Sequence, residues 1–266
     1  MSAMHAAFSA EPLTARESLT AAGLRFGDKG THTSRTIMLA DLTDLLAAVA
    51  QGADRDAYVK AVIDENVLGK PTIATRRLTY QRLRELYGLD PGLPLFRVFR
   101  RLWAADEAGR PLLAILCALA RDPLLRATAP TVLALPAGSE LVRGLFLGAI
   151  REAVGPRLND AVLDKVARNA ASSWSQSGHL EGRVRKIRRR VVPTAGSGAL
   201  AIWLGALEGL AGRPLLESRW APALDRTGDG LLAVALQAKQ LGLIHARAGG
   251  GVIEIDASRL DPALRL

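Results

Sequence analysis

The longest uninterrupted apolar run in the chain is Leu112–Ala120, nine residues set between Pro111 and Arg121. That is far short of the roughly 20 residues a spanning helix needs, and it suits a buried core helix. Elsewhere apolar residues recur three and four apart between proline and glycine breaks, which is the period of amphipathic helices. A mainly helical protein with no membrane partner is the expectation. The chain has 266 residues, 49% hydrophobic and 23% charged, which is enough for ordinary cores and argues against disorder.

Read in order, residues 1–17 look like a flexible tail. Helices are predicted from Ser34 to Val49, from Asp54 to Asn66, and from Thr72, as N-cap, to just before Gly88. Three short helices with a basic third have the outline of a helix-turn-helix-like unit. Residues 94–153 predict three more helices, punctuated by Pro111, Pro123, Pro130 and Pro136, and a long one runs from Asn159 to Gln176 ahead of Gly178. Residues 195–211, 215–224 and 229–241 follow as helices. Leu243–Arg247 and Val252–Asp256 are strand-like and joined across the glycine-rich tip Ala248–Gly251. The expected fold is therefore mainly α: a helical bundle with a helix-turn-helix-like N-terminal part and a C-terminal winged-helix-like unit carrying a small β-hairpin. The expected division is a tail at 1–17, a helical domain at 18–156, and a helical plus winged-helix-like domain at 157–266.

Charge is distributed unevenly. Lys and Arg outnumber Asp and Glu by 35 to 26, a net charge of +9. Residues 76–101 hold seven arginines, including Arg76, Arg77, Arg82 and Arg84, against Glu85 and Asp90. Residues 181–190 hold Arg183, Arg185, Lys186, Arg188, Arg189 and Arg190 against Glu181. These two stretches account for essentially the whole excess. Clustered arginine suits phosphate, because its planar fork pairs with two oxygens and each neutralised phosphate releases counterions. Solvated helix faces are the plainer alternative.

The run 170–190 is the most informative. Val184, Ile187 and Val191 are spaced three and four apart, so residues 181–190 read as a basic helix anchored by one apolar face. Ahead of it, Ser172, Ser173, Gln176, Ser177 and His179 offer small polar groups of the kind that contact phosphate and sugar. Trp174 reads as a core anchor in preference to a base-stacking platform. In the C-terminal unit, Lys239 and Arg247 are the candidate contacts. The helix 229–241 carries only Gln237, Lys239 and Gln240 as base-reading groups, which disfavours sequence-specific readout.

No catalytic or metal signature is evident. Gly196–Ser197–Gly198 lacks the lysine of a phosphate loop, and no serine sits on a nucleophile elbow. His5, His32, His179 and His245 are scattered. Cys117 reads as a small core residue, and a single cysteine fits a reducing, cytoplasmic setting; no secretory signal pattern opens the chain. Neither an enzyme activity, a cofactor nor a metal is expected.

The order of Ser18-Leu-Thr-Ala-Ala-Gly-Leu, Asp64-Glu-Asn-Val-Leu, Thr72-Ile-Ala-Thr-Arg-Arg and Arg82-Leu-Arg-Glu-Leu, then the 173–190 segment and the closing hairpin, resembles the BrxA family of BREX phage-exclusion systems. The chain is longer than typical members around 125–160. The resemblance implies a non-catalytic, helical, DNA-binding accessory protein of a bacterial phage-defence system. Expected partners are double-stranded DNA and other defence proteins, and a homo-oligomer is allowed. Two other readings stand beside it: a protein-interaction scaffold with incidental DNA contact, and an RNA-binding antitermination-like factor. Aromatic residues make up only 5% of the chain, which leaves few stacking platforms for single strands. A sequence-specific repressor is a lesser option.

Overall fold

Proline and glycine set the helix boundaries. In the computed structural model, which describes residues 13–264, eleven α-helices and two small antiparallel hairpins are present among the described residues. The helices are α1 (Leu13–Ala21), α2 (Leu39–Ala48), α3 (Arg55–Ile63), α4 (Ile73–Tyr87), α5 (Pro94–Ala105), α6 (Arg110–Arg121), α7 (Pro123–Leu133), α8 (Arg143–Val154), α9 (Asp160–Gln176), α10 (Ala195–Leu207) and α11 (Gly228–Gln240). The strands are β1 (Leu180–Glu181), β2 (Ile187–Arg188), β3 (His245–Gly249) and β4 (Val252–Asp256). The fold is mainly α with a C-terminal hairpin, as the sequence periodicity leads one to expect. Among the described residues no helix is long and apolar enough to cross a membrane.

Several caps act as their residue types require. Thr72 accepts from Thr75 N, Asp54 from Ala57 N and Asn159 from Val162 N, and each starts its helix. Pro94, Pro111 and Pro123 sit in first turns, where a missing N–H costs nothing. Residues 94–153 thus form four helices where the sequence predicts three.

The expected 1–17 tail is only partly addressed, since residues 1–12 lie outside the described residues and Leu13–Ala21 is helical. The predicted helix from Ser34 begins only at Leu39, because tertiary bonds hold 34–38 in other conformations. Ser173 Oγ accepts from Ile37 N at 3.0 Å, Gln176 Oε1 accepts from Leu39 N at 3.1 Å, and the Tyr87 hydroxyl donates to the Ile37 carbonyl at 2.5 Å. The predicted helix 215–224 is two 3₁₀ turns, Arg213–Glu217 and Ala221–Leu224, each with a proline in its first turn, Pro214 and Pro222.

The largest correction falls on 181–190, which is not a helix. β1 and β2 pair antiparallel, Leu180 with Arg188 and Glu181 with Ile187, around a turn at 182–186. Gly182 turns at φ +102°, and a Cβ there would strike the Arg185 carbonyl. Val184, read as core-facing, is 91% exposed, while Arg188 is 2% exposed. A carboxylate partner for Arg188 in a distant turn overrides the three-and-four spacing of the apolar residues. Trp174, by contrast, is buried, with its indole N–H on Thr128 Oγ1 at 2.8 Å.

The core centres on α6, whose residues 112–120 are all buried. It packs against α4, α5, α7 and α10. Buried apolar residues form one cluster from Leu19 to Leu260, continuous through residue 156, where the sequence suggests a boundary. In the C-terminal part α10 and α11 pack directly, with Gly198 seated against Val234, so the Gly196–Gly198 stretch serves close helix approach. α11 packs on β3, and Gly250 and Gly251, both at positive φ, close the β3–β4 hairpin. Helix, 3₁₀ turns, helix and hairpin follow in winged-helix order.

Candidate nucleic-acid interface

Most arginines of the first basic cluster end on protein carbonyls. Arg76 donates to the Lys70 and Ile63 carbonyls at 3.2 and 3.1 Å. Arg100, 7% exposed, donates to the carbonyls of Leu46 and Val49 at the end of α2. Arg97 pairs with Asp261, and Arg101 donates to the Arg259 carbonyl. Arg82 pairs with Glu85 at 2.7 Å, its side chain 23% exposed. Buried Arg121 and Arg126 serve the same purpose, reaching the carbonyls of Glu85 and Leu119. Arg76, Arg100, Arg121 and Arg126 thus close the ends of helices, where carbonyl groups lack intrahelical partners. From the predicted set in this cluster, only Arg77 and Arg84 are exposed with side chains free of ion-pair or hydrogen-bond partners among the described residues. Seven positions apart, they share one face of α4.

The predicted polar donors at the end of α9 and just after it are withdrawn from solvent. Ser173, Ser177 and His179 are buried, and half-buried Gln176 is committed to Leu39 N. They cannot meet a phosphate in this fold. His179 Nε2 donates to the Ala223 carbonyl at 2.9 Å, and Nδ1 lies 2.8 Å from Ser177 Oγ. Burial, aided by the nearby Arg188 charge, brings the His179 pKa down to about 4 against the opposing pull of Ala223 and Asp225.

Arg188 is likewise no phosphate ligand. Its Nη2 lies 2.5 Å from Asp225 Oδ1, its Nη1 3.2 Å from Oδ2, and its Nε donates to the Val132 carbonyl at 3.1 Å. Around it the hairpin surface remains basic. Arg183 and Arg190 are exposed with no side-chain partner among the described residues. Arg185 places Nε and Nη2 on Glu140 Oε2 at 2.8 and 2.6 Å, and Arg189 Nε lies 2.5 Å from Glu181 Oε2. Lys186 Nζ donates to Ser175 Oγ at 3.0 Å. Exposed ion pairs such as those of Arg185 and Arg189 are weak, because water screens them, and exchange readily for another anion.

The C-terminal hairpin is more nearly neutral. An open groove of about 470 Å³ between α11 and the hairpin is lined by Leu236, Lys239, Arg247, Val252 and Glu254 among others. Arg247 stands opposite Glu254 in the ladder, and His245 opposite Asp256. Each basic strand residue thus has a carboxylate across from it, which weakens this wing as an anion site relative to the 181–190 hairpin.

One constellation escaped the sequence reading. His32 Nδ1 lies 2.8 Å from Asp122 Oδ2, and Nε2 lies 2.8 Å from Ser173 Oγ. This order matches a serine–histidine–aspartate triad, and its members stand 90 and 141 residues apart, so no local motif could reveal it. All three are buried, and Ser173 Oγ also accepts from Ile37 N and donates to the Asn169 carbonyl. With no open approach to the oxygen, the arrangement clasps 30–37 onto α9. Burial pushes the Asp122 carboxyl up, but the His32 charge, the ring hydrogen bond and backbone N–H groups of Leu125 and His32 outweigh it and hold the group low. Cys117 is sealed in α6, its thiol pushed up to about 12 by burial. Among the described residues no group of three or more His, Cys, Asp or Glu side chains could hold a metal. His5 lies outside the described residues.

No family model matches the chain, and no curated protein matches it.

Proposed function

We propose that this is a non-catalytic, cytoplasmic protein that binds double-stranded DNA without strong sequence preference, through the basic hairpin β1–β2. The observation that carries this is the exposure of Arg183 and Arg190, unpartnered, beside Arg185, Lys186 and Arg189 within one ten-residue segment. A density of guanidiniums on a fixed support neutralises several phosphates at once, and phosphate contacts position a protein without specifying sequence. Arg77 and Arg84 supply a second site on α4. The setting, an accessory protein of a BREX-like phage-defence system, rests on the motif resemblance alone.

The test is a mobility-shift titration with duplex DNA, single-stranded DNA and duplex RNA of equal length at two salt concentrations. Wild type is compared with a variant carrying Arg183→Glu, Arg185→Glu and Arg190→Glu, which spares the structural Arg188. Duplex-DNA affinity that falls with salt and is lost in the variant supports the reading, and no binding to duplex DNA at low salt rules it out. A protein-interaction scaffold is the second reading. It draws on Leu145 and Leu241, exposed to 71% and 69%, and predicts complex assembly that survives the three charge reversals.

A further inference from the structure

The hairpin β1–β2 has a fixed base and a free tip. β2 is flanked on both sides: by β1, and by residues 138–141, whose backbone pairs with it through Gly138 N to the Arg188 carbonyl, Arg188 N to the Ser139 carbonyl and Leu141 N to the Lys186 carbonyl, each 2.8 Å. Asp225 holds Arg188 from beneath, and Arg189 N donates to the His179 carbonyl at 2.8 Å. Beyond two paired rungs the turn is exposed at residues 182–185. Its centre reads Arg183-Val184-Arg185, all exposed. Val184, at 91%, is the most exposed large hydrophobic among the described residues. The fold leaves that side chain in water between two exposed arginines, so its apolar surface is available to a contact outside the chain.

We propose that this turn enters the minor groove of duplex DNA, Val184 wedging against a base step while Arg183 and Arg185 lie along the groove. The proposal rests on the duplex-binding reading above. Width favours the minor groove. The turn is one chain thick, suited to a groove ~6 Å wide, whereas the ~12 Å major groove takes a whole helix or a two-stranded ribbon. A ribbon of two rungs, already flanked by residues 138–141, has no free length to lie in it. Charge agrees, because a narrow minor groove concentrates negative potential and draws arginine. Minor-groove proteins combine arginine in the groove with an apolar side chain wedged at a base step, and the turn offers both. Arg185 transfers from Glu140 to the groove at little cost, its side chain being 75% exposed in that pair.

The experiment uses the full chain and a short duplex labelled with a dye at each end. Wild type is expected to shorten the end-to-end distance, and distamycin, which fills the minor groove, to displace it where the major-groove ligand methyl green does not. Val184→Ala, at a site too exposed to unfold the protein, is expected to lower affinity roughly three- to tenfold and to remove the bend, while Val184→Phe retains it. Duplex binding that is indifferent to distamycin, with a bend unchanged in Val184→Ala, overturns the wedge and leaves the duplex reading intact. Failure to bind duplex at all overturns both. If Val184→Ala leaves DNA binding and bending unchanged but abolishes capture of a second protein, the tip is a protein contact and the wedge is equally overturned.

Discussion

Arg188 and Asp225, 37 positions apart, form a two-point salt bridge whose side chains are 2% and 7% exposed, and this pair ties the base of the basic hairpin to the turn that leads into α11. Asp225 Oδ2 also accepts from Val191 N at 2.8 Å. The Arg188 side chain and the Val191 backbone therefore share one anchor.

Removing one partner strands a buried charge, which costs ~3–5 kcal/mol. Arg188→Ala is expected to lose about that much in urea unfolding, with Arg188→Ala/Asp225→Ala losing less than the sum of the singles. A loss under ~1 kcal/mol in the single variant would show that the pair is not the anchor. The sequence groups Arg188 with its neighbours as a phosphate ligand; its direction is set by Asp225, and nothing local encodes that.

Glu140 and Glu181 pair with Arg185 and Arg189, so on the proposed duplex reading they would compete with phosphate for those guanidiniums. Glu140→Gln with Glu181→Gln is expected to tighten duplex binding several-fold and to steepen its salt dependence. Asp56→Asn with Glu107→Gln, exposed on other elements, makes the same charge change and serves as control. Equal tightening in both double variants would mean that net charge alone is read.

His179 gives a pH dependence of known sign. Its folded pKa, about 4, lies below the ordinary value of 6.5, so the unfolded chain binds the extra proton first. Stability is complete above pH ~6.5 and falls as pH drops toward 4, by as much as ~3 kcal/mol. Denaturant midpoints measured between those limits should slope less in His179→Gln than in wild type, and parallel slopes would contradict the assignment.

Cys117 is expected to stay silent to a thiol reagent such as Ellman's in the folded protein and to react fully in denaturant, since a buried thiol with a pKa of about 12 carries negligible thiolate. Stoichiometric labelling under native conditions would show that α6 opens readily.

Helix existence was legible where apolar period and caps agree, as at Thr72–Tyr87 and Asn159–Gln176. The C-terminal hairpin was legible from its paired glycines. Segment 181–190 misled because its apolar spacing fits a helix while its pairing partner, 138–141, is distant in sequence, Glu140 bridging Ile187. The polar residues of α9 misled for a related reason. Small hydroxyls before a basic run suit phosphate, yet Ser173 and Ser177 spend theirs on His32 and His179. Arginine count singled out the segment 181–190 but could not separate guanidiniums facing water from those facing carbonyls.

That separation bears on how this chain could vary. Exchanging Arg76, Arg97, Arg100, Arg121, Arg126 and Arg188 for lysine would leave the net charge at +9, yet each exchange replaces a planar fork spanning several acceptors with a single ammonium. Two chains alike in charge would then differ in whether α2 and α6 keep their ends closed. Drift toward lysine is tolerable at Arg183 and Arg190 and ruinous at those six positions, so substitution patterns among relatives would distinguish guanidiniums retained for the fold from those free to face a polyanion.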